Sequence, residues 1–136
     1  MMINRKYLRD LCTQEEYENL LCYYDEEKDG KDRCERWAKQ EATYGFCDKE
    51  TWDLSYSFAC LIYERVAMLM DIGARVVDFD FNKVEYNGKL YTITQMMQMI
   101  MDSCFKAMTS DDLDDCSDCM DDVFDMLKIS HRYLWW

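Results

Sequence analysis

The segment from Ser110 to Met126, SDDLDDCSDCMDDVFDM, contains eight aspartates and neither lysine nor arginine. Carboxylates at this density serve either to bind a cation or to present negative charge to a basic surface. A calcium-binding loop of the EF-hand type needs alternating ligands, a glycine and a terminal glutamate, and that order is not present here. The segment is therefore interpreted as a charged binding surface, and no metal ligand is assigned.

Helical spacing places most of these aspartates on one face. At about 100° per residue, seven of the eight fall within an arc of about 120°. The predicted partner-binding residues of this face are Asp111, Asp114, Asp115, Asp118, Asp121, Asp122 and Asp125. The predicted apolar face of the same helix is formed by Leu113, Cys116, Met120, Val123, Phe124 and Leu127. Over about 21 Å of helix the charge spacing is about 3 Å, close to the roughly 3.4 Å between phosphates of a DNA strand, so the face is predicted to imitate DNA.

Cys116 and Cys119 form a single CxxC pair within this segment. The surrounding aspartates disfavour thiolates, which argues against a redox or nucleophilic role. A structural zinc site would need two further cysteines, and Cys12, Cys22, Cys34 and Cys47 are the candidates. Their irregular spacing does not indicate such a site, and a small zinc-supported protein stays open as an alternative.

No catalytic residues are assigned. The one histidine, His131, has no serine or cysteine motif to pair with, and the four glycines are isolated, so no phosphate-binding loop is predicted. We therefore expect a protein that is not an enzyme and that has no cofactor.

Composition and charge restrict the class of partner. A chain of 136 residues with 49% hydrophobic residues is expected to fold as a single compact domain. The formal net charge of −12 argues against direct binding of nucleic acid or an anionic membrane and favours a basic protein. Because no signal-like or membrane-spanning apolar run occurs, we expect a cytoplasmic location, where the eight cysteines would stay reduced.

The elements that must position the acidic face are mainly helical, because the chain has no proline and few glycines. The predicted fold class is mainly α with a short β-hairpin, a helix-rich α+β arrangement. Helices are predicted at about 3–28, 33–42, 49–72, 94–108 and 110–129, and the hairpin at about 76–92, with its turn at Asn87-Gly88. Ser110 is the predicted N-cap of the last helix. The predicted buried face of the 49–72 helix consists of Leu54, Phe58, Ile62, Val66 and Leu69.

Two apolar features have alternative interpretations. The predicted helix at 94–108 is rich in methionine, which is typical of core packing and also of adaptable binding surfaces, and the core is favoured. Trp135 and Trp136 end the sequence HRYLWW and are predicted to be anchors for a partner, either a second copy or a foreign protein. The alternative is that this tail docks on the fold of its own chain.

The block YGFCDKETWDLSYSFACLIYERVAMLM, followed by YNGKLYT and an apolar helix, resembles small phage and prophage accessory proteins of unassigned function. The resemblance spans Tyr44 to about Met108 and includes the Gly-aromatic turn, the acidic cap, the Trp-x-Leu of Trp52 and Leu54, and the long helix. It implies a protein that acts inside a bacterial host, and it implies no catalytic residues. Trp52, Leu54 and Phe58 are interpreted as packing positions.

These observations predict a phage-type inhibitor or modulator of a basic nucleic-acid-binding host protein. The sharpest form of the prediction is an anti-defence protein that resembles an anti-CRISPR inhibitor and blocks a nuclease with a DNA-mimicking helix. The alternative from another class is a structural or assembly accessory protein whose acidic face only keeps it soluble.

Overall fold

The computed structural model describes residues 8, 10, 12–21 and 23–136, and within them the fold is mainly helical with one hairpin, which confirms the predicted fold class. The α-helices are α1 (Gln14–Asn19), α2 (Glu26–Asp29), α3 (Lys31–Tyr44), α4 (Leu54–Ile72), α5 (Ile93–Thr109) and α6 (Leu113–Ser130). The strands are β1 (Lys83–Tyr86) and β2 (Lys89–Thr92), and short 3-10 turns occupy Asp48–Thr51, Gly73–Arg75 and His131–Tyr133. No helix of the described residues has the length and apolarity needed to span a bilayer.

The core is built around α5, which packs against both α4 and α6. The side chains of Met96, Met97, Ile100 and Cys104 are fully buried. The Met-rich helix is therefore core, as favoured from the sequence. Thr92 and Gln95 form a capping box at its start, so the predicted start at 94 is correct to within one residue.

The predicted first helix at 3–28 is not continuous. Residues 3–7, 9, 11 and 22 lie outside the described part of the chain, but α1 ends at Asn19 and Leu20 is extended. The break lets Leu20, Tyr23 and Tyr24 bury their side chains, and Asp25 then caps α2 by accepting a hydrogen bond from the Lys28 backbone. Burial of these three large side chains stabilises the fold by more than an extension of the polar helix α1 would.

A second, smaller cluster holds the α3 region together. It consists of Tyr24, Cys34, Trp37 and Cys47, all buried. The Trp37 indole donates a hydrogen bond of 2.7 Å to Asp48 Oδ1, and the Arg36 guanidinium lies 3.1 Å from Asp48 Oδ2. These contacts, the indole donor first, lower the pKa of Asp48 below its ordinary 3.8. Asp48 therefore links α3 to the turn that precedes α4.

The hairpin is shorter than predicted, with strands at 83–86 and 89–92 in place of 76–92. Asn87 (φ 51°) and Gly88 (φ 80°) both have positive φ, as a two-residue turn between twisted strands requires, so the predicted turn is confirmed. Residues 76–82, which were predicted to belong to the hairpin, contain no strand and follow a 3-10 turn at 73–75. The hairpin places β1 beside α6 and leads β2 directly into α5.

Replacing Asp48 with alanine is expected to lower the free energy of unfolding by about 1 to 3 kcal/mol, because the buried Trp37 indole loses its acceptor. Because the pKa of Asp48 is lower in the folded state than the ordinary 3.8, its ionised carboxylate stabilises the fold above pH 3.8. This contribution to the free energy of unfolding is lost as the pH falls through the folded pKa. Urea titrations at pH 7 and pH 3 measure both effects. Asp71→Ala, which removes an exposed ion pair with Arg75, is the control and should cost under about 0.5 kcal/mol.

Candidate functional site

The acidic helix α6 begins later than predicted, at Leu113. Its N-cap is Asp112, whose Oδ1 accepts hydrogen bonds from the backbone of Asp114 (2.9 Å) and Asp115 (3.4 Å). Ser110, the predicted cap, instead accepts a bond from the Asp112 backbone. The prediction of Ser110 was wrong because Ser110, Asp111 and Asp112 are all residue types that cap helices well. Asp112, the one nearest the apolar part of the helix, is the N-cap. Asp111 consequently lies outside the helix.

Six aspartates remain on one face of α6 and form what we call the acidic stripe. Its members are Asp114, Asp115, Asp118, Asp121, Asp122 and Asp125, and all of them are exposed. They occupy about 17 Å of helix, so the spacing is still about one carboxylate per 3 Å. The loss of Asp111 shortens the predicted surface without changing its charge density.

The stripe is repulsive within α6. Asp118 has other stripe members three or four residues away on both sides, and at about 0.2 to 0.5 kcal/mol per like-charged pair the stripe costs roughly 1 to 3 kcal/mol. No ion pair joins it to a lysine or arginine of the described residues. Burial raises the pKa of the Tyr86 phenol on β1, and the nearby Asp122 carboxylate adds to that shift. The negative field of the stripe therefore reaches the hairpin.

The opposite side of α6 fixes the orientation of the stripe. Cys119, Met120, Val123 and Met126 are buried in the core. The predicted apolar face needs a correction, because Leu113 is 84% exposed and Phe124 is 44% exposed. The buried face is rotated toward Cys119 and Met126, because α5 contacts that side of the helix.

Cys116 and Cys119 lie one turn apart on α6, half-buried and buried respectively. Burial raises the pKa of the Cys119 thiol. Among the described residues, the one group of three side chains able to hold a metal is Glu41, Cys47 and Glu50, whose ligand atoms lie within 4.8 Å of one another. Cys116 and Cys119 are not part of it, and Cys22 lies outside the described residues. Burial also raises the pKa of Cys47 to about 11, which disfavours the thiolate that zinc needs.

His131 is exposed and forms the C-cap of α6, at the start of a 3-10 turn. A helix C-terminus is a favourable position for a cationic side chain.

The two tryptophans at the end of the chain differ in their surroundings. Trp135 and Trp136 are 64% and 59% exposed, while Leu134 packs against the core. The Trp136 ring lies over Gly73, because a Cβ added there would come within 2.9 Å of its Cδ1 atom. Gly73 has an ordinary helical φ of −64°, so it serves close packing and not backbone conformation. Trp136 thus docks on the end of α4 with one face still open.

One surface of α4 was not predicted from the sequence, and we call it the α4 seam. Its members are Leu54, Phe58, Leu61, Arg65, Met68 and Ile72, at steps of four, three, four, three and four. All are exposed except Ile72, which is half-buried. Leu54 and Phe58 were predicted to be buried, but they are 56% and 43% exposed and lie opposite the face that contacts α5. The regular alternation of three and four was the signal that could have revealed a second apolar face.

Comparison with protein-family models, with curated proteins and with solved structures gives no significant match. The resemblance to phage accessory proteins therefore stays a prediction.

Replacing Gly73 with alanine is expected to displace Trp136, since the new Cβ would overlap its ring. In a Trp136→Ala background the remaining close contact of the new Cβ is the flexible end of Leu69 at 3.0 Å. The same change should then raise the free energy of unfolding by up to about 1 kcal/mol, because alanine restricts the unfolded chain. In the chain that keeps Trp136, the increase in the free energy of unfolding caused by Gly73→Ala should be at least about 0.5 kcal/mol smaller. A double-mutant cycle measured by urea denaturation gives this coupling, and a coupling of zero would show that Trp136 is not docked there.

Proposed function

We propose that the protein is an acidic inhibitor or modulator of a basic nucleic-acid-binding protein in a bacterial host, and that the acidic stripe occupies the place of a DNA strand. The observation that carries the proposal is the stripe itself. It has six exposed carboxylates at a spacing of about 3 Å, none of them paired with a cation of the described residues.

The cost of the stripe supports a binding role. A face that only keeps a protein soluble gains from mixed charges, because lysines placed between the aspartates would relieve the repulsion. A partner that neutralises phosphates with lysine and arginine would relieve the same repulsion on binding. The net charge of −12 would also speed the encounter with a basic partner through electrostatic steering.

The resemblance noted in the sequence gives the proposal its setting. A small phage-type protein in the cytoplasm of a bacterium meets host defence nucleases, which bind nucleic acid through basic surfaces. In its sharpest form the proposal is therefore inhibition of a nuclease of the CRISPR type. Trp135 would add an apolar contact at the edge of such an interface, since its side chain is 64% exposed.

The test is capture of binding proteins from a nuclease-treated bacterial lysate, with elution by a salt gradient and identification by mass. The wild-type chain is expected to retain a DNA- or RNA-binding protein that is released as salt rises, and added double-stranded DNA should displace it. Replacing Asp114, Asp118, Asp121 and Asp122 with asparagine should weaken binding at least about tenfold, at up to about 1 kcal/mol per lost exposed pair.

The matched control replaces four exposed glutamates elsewhere, Glu15, Glu26, Glu27 and Glu35, with glutamine. It raises the net charge by the same four units and should retain the partner. Circular dichroism should show both variants folded, with the stripe variant slightly more stable because repulsion is removed. Equal binding by the two variants would mean that net charge and not the stripe determines binding, and the proposal would be wrong.

A further inference from the structure

We propose that the α4 seam binds the α4 seam of a second copy of this chain, with the two helices antiparallel, so that the protein is a homodimer with both acidic stripes on its outside. This inference does not depend on what the stripe binds. It begins from an exposed apolar face on a helix whose opposite face is already buried against α5.

The spacing of the seam indicates that its occupant is another helix. Steps of four and three give the repeat of 3.5 residues that is found where two helices supercoil around each other. Leu54, Leu61 and Met68 form one set of alternate positions, and Phe58, Arg65 and Ile72 form the other. The seam is about 27 Å long, or two and a half heptads. A loop or a flat surface would not require this periodicity.

Charge selects the antiparallel orientation. In a parallel pair the two Arg65 side chains would occupy the same layer and repel each other. In an antiparallel pair Arg65 lies against the partner's Leu61, over which its alkyl stem can pack. Asp53, the N-cap of α4, then lies near the end of the partner's α4 and the 3-10 turn that follows it, which carries Arg75. The two helix dipoles also oppose each other favourably.

The layers of such a pair use every seam position. Leu54 would meet the partner's Ile72, and Phe58 would meet the partner's Met68, so that each layer combines a large and a flexible side chain. The seam is thus self-complementary, which is the requirement for a two-fold symmetric interface.

The available area matches that of a stable dimer. Phe124 of α6 contacts Phe58 with ring centroids 6.3 Å apart, and Phe46 lines a cleft of about 290 Å³ together with Leu54, Phe58 and Leu61. These two aromatic side chains widen the apolar face beyond the seam. At roughly 100 Å² of exposed surface for each of the seven exposed large side chains, the face provides about 700 Å², within the roughly 600 to 1,000 Å² per partner that specific interfaces bury.

Dimerisation would leave the acidic stripe accessible, because Phe124 lies about 120° around α6 from the centre of the stripe. The two surfaces therefore respond to salt in opposite ways. Two copies that each carry −12 repel, so salt should tighten the dimer, whereas it should weaken binding of a basic partner to the stripe. Failure of one proposal can thus be distinguished from failure of the other.

The test is sedimentation equilibrium of the full chain between about 1 and 300 μM at low and high salt. The wild type is expected to be a dimer that becomes tighter with salt. Leu61→Asp, at the middle of the seam, should raise the dissociation constant at least about 30-fold. Leu113→Asp is the matched control, because Leu113 is even more exposed but lies off the seam, and it should leave the dimer intact. Leu61→Ala removes the contact without adding charge, in case the aspartate disturbs folding.

Orientation is tested by disulfide formation between single-cysteine additions. A mixture of Phe58→Cys and Met68→Cys chains should crosslink faster than either chain alone or the wild type, as antiparallel layers require. Faster crosslinking of Phe58→Cys with itself would indicate a parallel pair and overturn the orientation. A monomer at all concentrations and salts, or a dimer that Leu61→Asp leaves unchanged, would overturn the proposal as a whole.

Discussion

Burial of one face of α5 against two helices, α4 and α6, is the constraint on which the rest of the structure depends. Met96, Met97, Ile100 and Cys104 have no exposed surface, and both α4 and α6 pack against the helix that carries them. Methionine suits this position, because a flexible thioether can fill the irregular space between α5 and the two helices that pack against it. Each outer helix has one face fixed by this contact, so its other face is presented to solvent. The acidic stripe and the α4 seam are those two outer faces.

The balance of energies explains why α6 tolerates its charge. Met120, Val123 and Met126 are buried, and each contributes roughly 1.5 to 3 kcal/mol, which exceeds the repulsion of the stripe. An isolated α6 would lack that contribution and would be a poor helix. The stripe therefore requires a helix whose opposite face is packed in the core. The same packing gives the carboxylates of the stripe a fixed direction. A disordered acidic segment could carry equal charge but not this alignment.

Local signals in the sequence predicted much of this fold. The start of α5 depends on the capping box of Thr92 and Gln95, and the hairpin turn depends on the φ angles of Asn87 and Gly88. Both features are decided within a few residues of the chain, so the sequence alone is sufficient to predict where they occur. The stripe was predictable for the same reason, since it needs only a helix. Choices between equivalent local solutions were not predictable. Asp112 and Ser110 are both good caps, and α4 is apolar on two faces, so only its packing against α5 determines which one is buried.

The buried thiols of the core determine how fast this protein would be inactivated by oxidation. Burial raises the pKa of Cys104 to about 12 and that of Cys47 to about 11, so neither thiol reacts readily while the chain is folded. Unfolding returns them to an ordinary pKa near 8.5 and brings eight thiols into one mobile chain, where oxidation would prevent refolding. Its lifetime in an oxidant would then be governed by how often the molecule opens, a kinetic property of the whole domain.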